Sequence, residues 1–103
     1  MWGRSRFGKL VEMQLDLFLR DNRADLAEAH ERLAAYNRAD RTEAEELYGD
    51  YVDAVETGTE ILADIRDHFK WTLDDDTGEL YEEEFNRAVL KRFPRFALEI
   101  ENR

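Results

Sequence analysis

Between Thr42 and Leu73 the chain runs thirty-two residues without a proline, and its apolar positions fall alternately three and four apart along almost the whole run. A helix keeps residues so spaced on one face, so the stretch predicts one long helix with a packing seam. The seam reads Ala44, Tyr48, Tyr51, Val55, Gly58, Leu62, Ile65, Phe69 and Thr72. Gly58 stands in the seam, where the missing side chain lets a partner approach closely, at a helix-interior cost of about 1 kcal/mol relative to alanine. Gly49 lies off the seam and has no such role.

The preceding segment predicts a companion of nearly equal length. Ser5 followed by Phe7, Leu10, Val11, Gln14, Leu15 and Phe18 supplies a cap and then a helical stripe. Val11, Leu15, Leu19, Asn22, Leu26, Ala29, Leu33 and Tyr36 hold the three-four alternation through the polar patch at 21–25, where no glycine or proline forces a break. The phase favours one helix over about 5–38, with Asn22 in its seam; the competing reading has Asn22 capping a second helix. A turn at 37–42 follows, and Thr42 with Glu45 forms a capping box. At 1.5 Å per residue the two segments each span roughly 45–50 Å, which suits an antiparallel hairpin.

A third helix is expected at about 78–92, capped by Asp76 with Glu79, carried by Leu80, Tyr81, Phe85, Ala88 and Val89, and ended by Pro94. The tail alternates Phe96, Leu98 and Ile100 with Ala97 and Glu99, and is expected to lie extended across a core groove. The fold class is therefore all-α, a single domain over 1–103: a long helical hairpin, 5–38 with 42–73, plus a shorter helix. One short helix cannot cover such a seam, so a homodimer completing a bundle is expected.

The 103 residues carry a net charge of −10, unevenly spread. Residues 1–9 carry +3, residues 10–84 carry seven basic against 23 acidic groups, and residues 85–98 carry +4. An acidic body with basic ends repels phosphates and anionic lipid, so no nucleic acid and no membrane is expected as partner. Such a body also suits a basic groove on another protein. With 43% hydrophobic residues the chain has enough apolar content to fold. The start resembles no signal peptide, and Glu12 and Asp16 interrupt the apolar stretch at 10–19, so a cytoplasmic location is expected.

There is no cysteine, and neither histidine completes a Glu-x-x-His pair, since His30 follows Ala27 and His68 follows Ile65 at that offset. Thiolate, zinc and di-iron chemistry are poorly supplied. Two acidic patterns remain. Residues 73–84, Leu-Asp-Asp-Asp-Thr-Gly-Glu-Leu-Tyr-Glu-Glu-Glu, resemble the calcium loop of the EF-hand family, with Gly78 at the sharp turn and Glu84 at the last position. The resemblance implies calcium held by Asp75, Thr77, Glu79 and Glu84; it departs at the first position, which is Leu73 instead of aspartate. The pairs Glu43 and Glu46, Asp50 and Asp53, and Asp64 and Asp67 share a helix face at i, i+3, and with Glu79 and Glu82 they resemble the acidic motifs of compact all-α nucleotide pyrophosphohydrolases. That resemblance implies a magnesium-dependent enzyme.

The aromatic residues point elsewhere. Trp2, Phe7, Phe69, Trp71, Tyr81, Phe85, Phe93 and Phe96 are expected to gather at one end of the hairpin, part as core and part as a contact patch. Trp2, Phe7, Trp71, Phe93 and Phe96 are the candidate partner-binding residues. The preferred expectation is a non-enzymatic interaction protein, acting as scaffold, adaptor or regulator through self-association or another protein. It needs no cofactor; the metal-dependent enzyme and the calcium module are the alternatives.

Overall fold

The computed structural model describes residues 6–103, which form five helices and no strand. These are α1 (Gly8–Asp21), α2 (Arg23–Arg38), α3 (Ala44–Lys70), α4 (Asp75–Arg92) and α5 (Pro94–Glu101). The all-α class holds, and α3 is the long helix its apolar spacing demands. Trp2 and Ser5 lie outside the described residues.

The expected helix over 5–38 is two helices. Asn22 leaves helical geometry at φ −122°, ψ 25°, and its Nδ2 donates to the Phe18 carbonyl at 3.0 Å, the same oxygen that its backbone N–H reaches. An asparagine side chain that competes for a backbone carbonyl disturbs the helical ladder without any glycine or proline. Asn22 thus neither sits in a seam nor caps α2 with its side chain.

The helix starts also differ from expectation in their capping residues. Asp40, not the Thr42–Glu45 pair, organises the turn before α3: its Oδ1 accepts from the Thr42 and Glu43 amides and the Thr42 hydroxyl. The Thr42 hydroxyl and then the Glu43 amide hold the Asp40 carboxyl below the usual carboxylate range. Asp74, two residues before the expected Asp76, caps α4 by accepting from the Thr77 amide at 2.8 Å.

The extended tail is the largest correction. Residues 94–101 are helical, because proline suits the first position of a helix, where its absent N–H would have no partner. Phe96, Ala97 and Ile100 face inward, at helical rather than strand spacing.

The core joins α1, α3, α4 and α5. Leu15, Leu62, Phe85, Val89 and Ile100 are buried at its centre, each contributing on the order of 1.5–3 kcal/mol. α1 and α4 run parallel: the Phe7 N–H donates to Glu84 Oε1, and nine residues on Asp16 pairs with Arg92. α3 and α4 form an antiparallel pair joined by Lys70 with Glu82 at 2.7 Å and by Arg66 with Asn86 at 3.0 Å. α5 lies along α3, from Phe96 over Gly58 to Ile100 beside Arg66. A Cβ at Gly58 would sit 2.6 Å from Phe96 Cε1, so the close approach expected there is made by α5.

The hairpin survives where α2 pairs with α3. Arg32, ion-paired with Glu28, donates to the Asp50 carbonyl at 2.9 Å, and Tyr36 packs on Tyr48 with ring centroids 5.2 Å apart. This pair projects from the core as an arm. The molecule measures 52 × 24 × 21 Å with a radius of gyration of 15.6 Å, against about 13 Å for a compact chain of this length.

Candidate interaction surface

The seam of α3 divides at Val55. Its inner half, Val55 to Leu62, is buried beneath α5 and the core helices. The outer half continues the same stripe toward Ala44 for about 17 Å at 1.5 Å per residue, with α2 on one flank, where Tyr36 packs on Tyr48. Tyr48 there is 50% exposed, and Tyr51 and Val52 are half-buried.

Where the two halves meet, α5 presents Leu98, an aliphatic side chain left 73% exposed. Leu98 and Arg95 form one wall of an apolar groove whose other wall is Tyr48, Tyr51, Val52 and Val55. Glu56 and Glu99 stand on its rim. Arg95 is held at the mouth by a 2.9 Å contact between its Nη2 and His30 Nδ1 on α2. Three rings, Tyr36, Tyr48 and Tyr51, line up along the arm with centroid spacings of 5.2 and 6.3 Å. The arrangement offers apolar area and a carboxylate rim.

The expected aromatic cluster is split between two parts of the core. Phe7 packs edge-on against Phe69 and Tyr81 at 6.3 and 5.4 Å. Phe93 and Phe96 pack against Phe18 at the other end of α1, at 5.3 and 6.2 Å. Phe96 is buried and Phe93 half-buried. Trp71 is 80% exposed in the α3–α4 turn, with His68 at a centroid distance of 6.2 Å. Trp2 lies outside the described residues.

The residues of the calcium-loop resemblance lie in a helix. Asp75, Thr77, Glu79 and Glu84 all belong to α4, where about 100° of turn per residue puts Asp75 and Glu79 on one face and Thr77 and Glu84 on the opposite one. Glu84 faces α1 and accepts the Phe7 N–H at 3.2 Å. The glycine that should make a sharp turn, Gly78, is inside α4, where a Cβ would meet Lys70 Cγ at 3.1 Å. Among the described residues no three histidine, aspartate or glutamate side chains gather as a metal-holding group. Of the i, i+3 acidic pairs, Asp67 is engaged by Arg66 Nε at 2.8 Å.

Arg66 is the polar residue that the seam reading missed. It is 1% exposed, and its Nη1 donates to Asn86 Oδ1 and to the Ile100 carbonyl at 2.9 Å, closing the end of α5. Its Nη2 has no hydrogen-bond partner among the described residues. Val55, Thr59, Leu62 and Arg66 repeat at four-three-four spacing, so the signal existed in the sequence but was carried by polar residue types. Leu98 was missed because a strand-like tail gives it the same face as Phe96 and Ile100, whereas a helix turns it outward.

Comparison with known proteins finds no matching family model, no similar curated protein and no matching solved structure.

Proposed function

We propose that the protein is a non-enzymatic helical interaction module, working by self-association or by holding a protein partner on the outer half of the α3 seam. The observation that supports this reading is the half-covered seam: one continuous apolar stripe is buried under α5 as far as Val55 and only half-buried beyond it, with Leu98 and Tyr48 exposed at the junction. Exposed apolar area framed by polar residues is characteristic of protein contact sites.

Sedimentation velocity of the whole chain across the micromolar range, together with partner capture from native lysate, tests the reading. Leu98→Asn and Tyr48→Asn are expected to weaken whichever association is found. A chain that stays monomeric and captures nothing sensitive to these substitutions would sink it. Melting in calcium, in magnesium and in chelator gives the metal-dependent alternatives their test, because a cation that binds the folded state raises Tm by mass action.

A further inference from the structure

The half-open seam also carries information about its occupant. The inner half already holds a helix, α5, seated on the seam by Phe96, Ala97 and Ile100. The outer half is the same stripe on the same helix, flanked by α2 as the inner half is flanked by α4, so its shape continues one built for a helix. An extended strand would find no sheet edge there, since the described residues contain none.

Charge narrows the choice further. Residues 21–60, which hold α2 and the outer part of α3, carry twelve acidic and four basic groups. One of the four, Arg32, is already paired with Glu28, and Arg95 of α5, the cation in the groove wall, is engaged by His30 Nδ1 on α2 at 2.9 Å. Glu45 and Glu56 bracket Tyr48 and Val52 along a single stripe of α3, and Glu99 faces them from α5. A second copy laying its own arm here would bring like charge against like charge, whereas lysines and arginines flanking an apolar stripe would meet carboxylates on both rims.

Resting on the interaction reading above, we propose that the groove between the outer seam of α3 and Leu98 of α5 docks a basic amphipathic helix of a partner protein, with its apolar face on Tyr48, Tyr51, Val52 and Leu98 and its cations on Glu45, Glu56 and Glu99. Helix-in-groove docking of this kind takes affinity from the apolar anchors, and orientation and encounter rate from the charges.

The experiment uses the whole chain and three synthetic peptides of about eighteen residues, a length of roughly 27 Å as a helix. One places leucines at i, i+3, i+4 and i+7 among lysines, the second is a scramble of the same composition with no apolar face, and the third replaces lysine by glutamate. Calorimetric titration is expected to show one-to-one binding of the first alone. Leu98→Asn and Tyr48→Asn should each weaken it by tenfold or more, while Leu90→Asn, at an exposed leucine on α4 outside the groove, leaves it unchanged. All three positions are at least half exposed, so the variants keep the fold.

Equal binding of the scramble would reduce the interaction to bulk charge and overturn the proposal. So would indifference to Leu98→Asn, or preference for the acidic peptide. If the chain associates with itself or another protein in a Leu98-dependent way yet ignores the basic peptide, the interaction reading stands and the basic helix falls.

Discussion

Gly58 shows how one atom sets the position of an element. The Phe96 ring occupies the space of the missing Cβ at 2.6 and 2.8 Å, and Phe96 is packed on Phe18 behind it, so it has little room to withdraw. Gly58→Ala is expected to destabilise by about 1–3 kcal/mol through overpacking. Gly49 has nothing within 4 Å of its Cβ position, so Gly49→Ala is expected to stabilise by about 0.5–1 kcal/mol by removing backbone freedom from the unfolded chain. Urea unfolding of both variants gives opposite signs if the reading holds. Tyr81 makes a second residue-scale case. Burial pushes its phenol up from 10.0 to about 12, opposed by its hydrogen bond to Gln14. A raised folded value means that stability is intact below pH 10 and is lost as pH rises toward 12, by roughly 1.4 kcal/mol per pH unit from this group. Denaturation curves between pH 10 and 12 are expected to show this slope in the native chain and to lose that component in Tyr81→Phe.

At the scale of the element, α5 depends on groups far from it in sequence. Eight residues form no stable helix alone, and α5 persists because Pro94 starts it, its apolar side enters the core and Arg66 takes the Ile100 carbonyl. Arg66→Ala would leave Asn86 and that carbonyl without their donor and open a cavity, an expected loss of about 3–5 kcal/mol. Arg66→Met keeps the volume and removes a buried charge, so it is expected to cost clearly less; thermal melts of the two variants check the order. The helix over 5–38 and the extended tail went astray for related reasons. Asn22 breaks the first by a side-chain bond to Phe18 that apolar phase cannot register. The tail has five alternating positions, too few to distinguish period 2 from period 3.6 when Ala97 suits either face.

For the whole molecule, the uneven cover of α3 implies uneven stability. Around Leu62 the helix is packed by α4 and α5, while the arm from about Leu33 to Leu47 is held, among the described residues, by α2 against α3. Amide exchange is expected to show the arm opening at a free energy well below global unfolding, with the inner turns of α3 exchanging only through global unfolding. A ligand in the groove beside Leu98 would raise protection in the arm selectively, which ties this measurement to the proposed docking. The aromatic residues distribute by the same logic. Most were legible as a cluster from composition and spacing, but their division between two ends of α1, with Trp71 outside, depends on where α4 and α5 cross.

The three-four spacing of a proline-free run determined by itself that this chain is helical, where its longest helix lies and that Gly58 would meet a close neighbour, because local periodicity and steric absence are properties of adjacent residues. Tertiary structure alone decided which neighbour that is, that Arg66 is core rather than surface, that residues 75–84 are helical, and that the half-covered part of the seam faces outward beside Leu98. Those outcomes rest on contacts between residues up to 77 apart in the chain, whose free energies are set by packing that no window of the sequence contains.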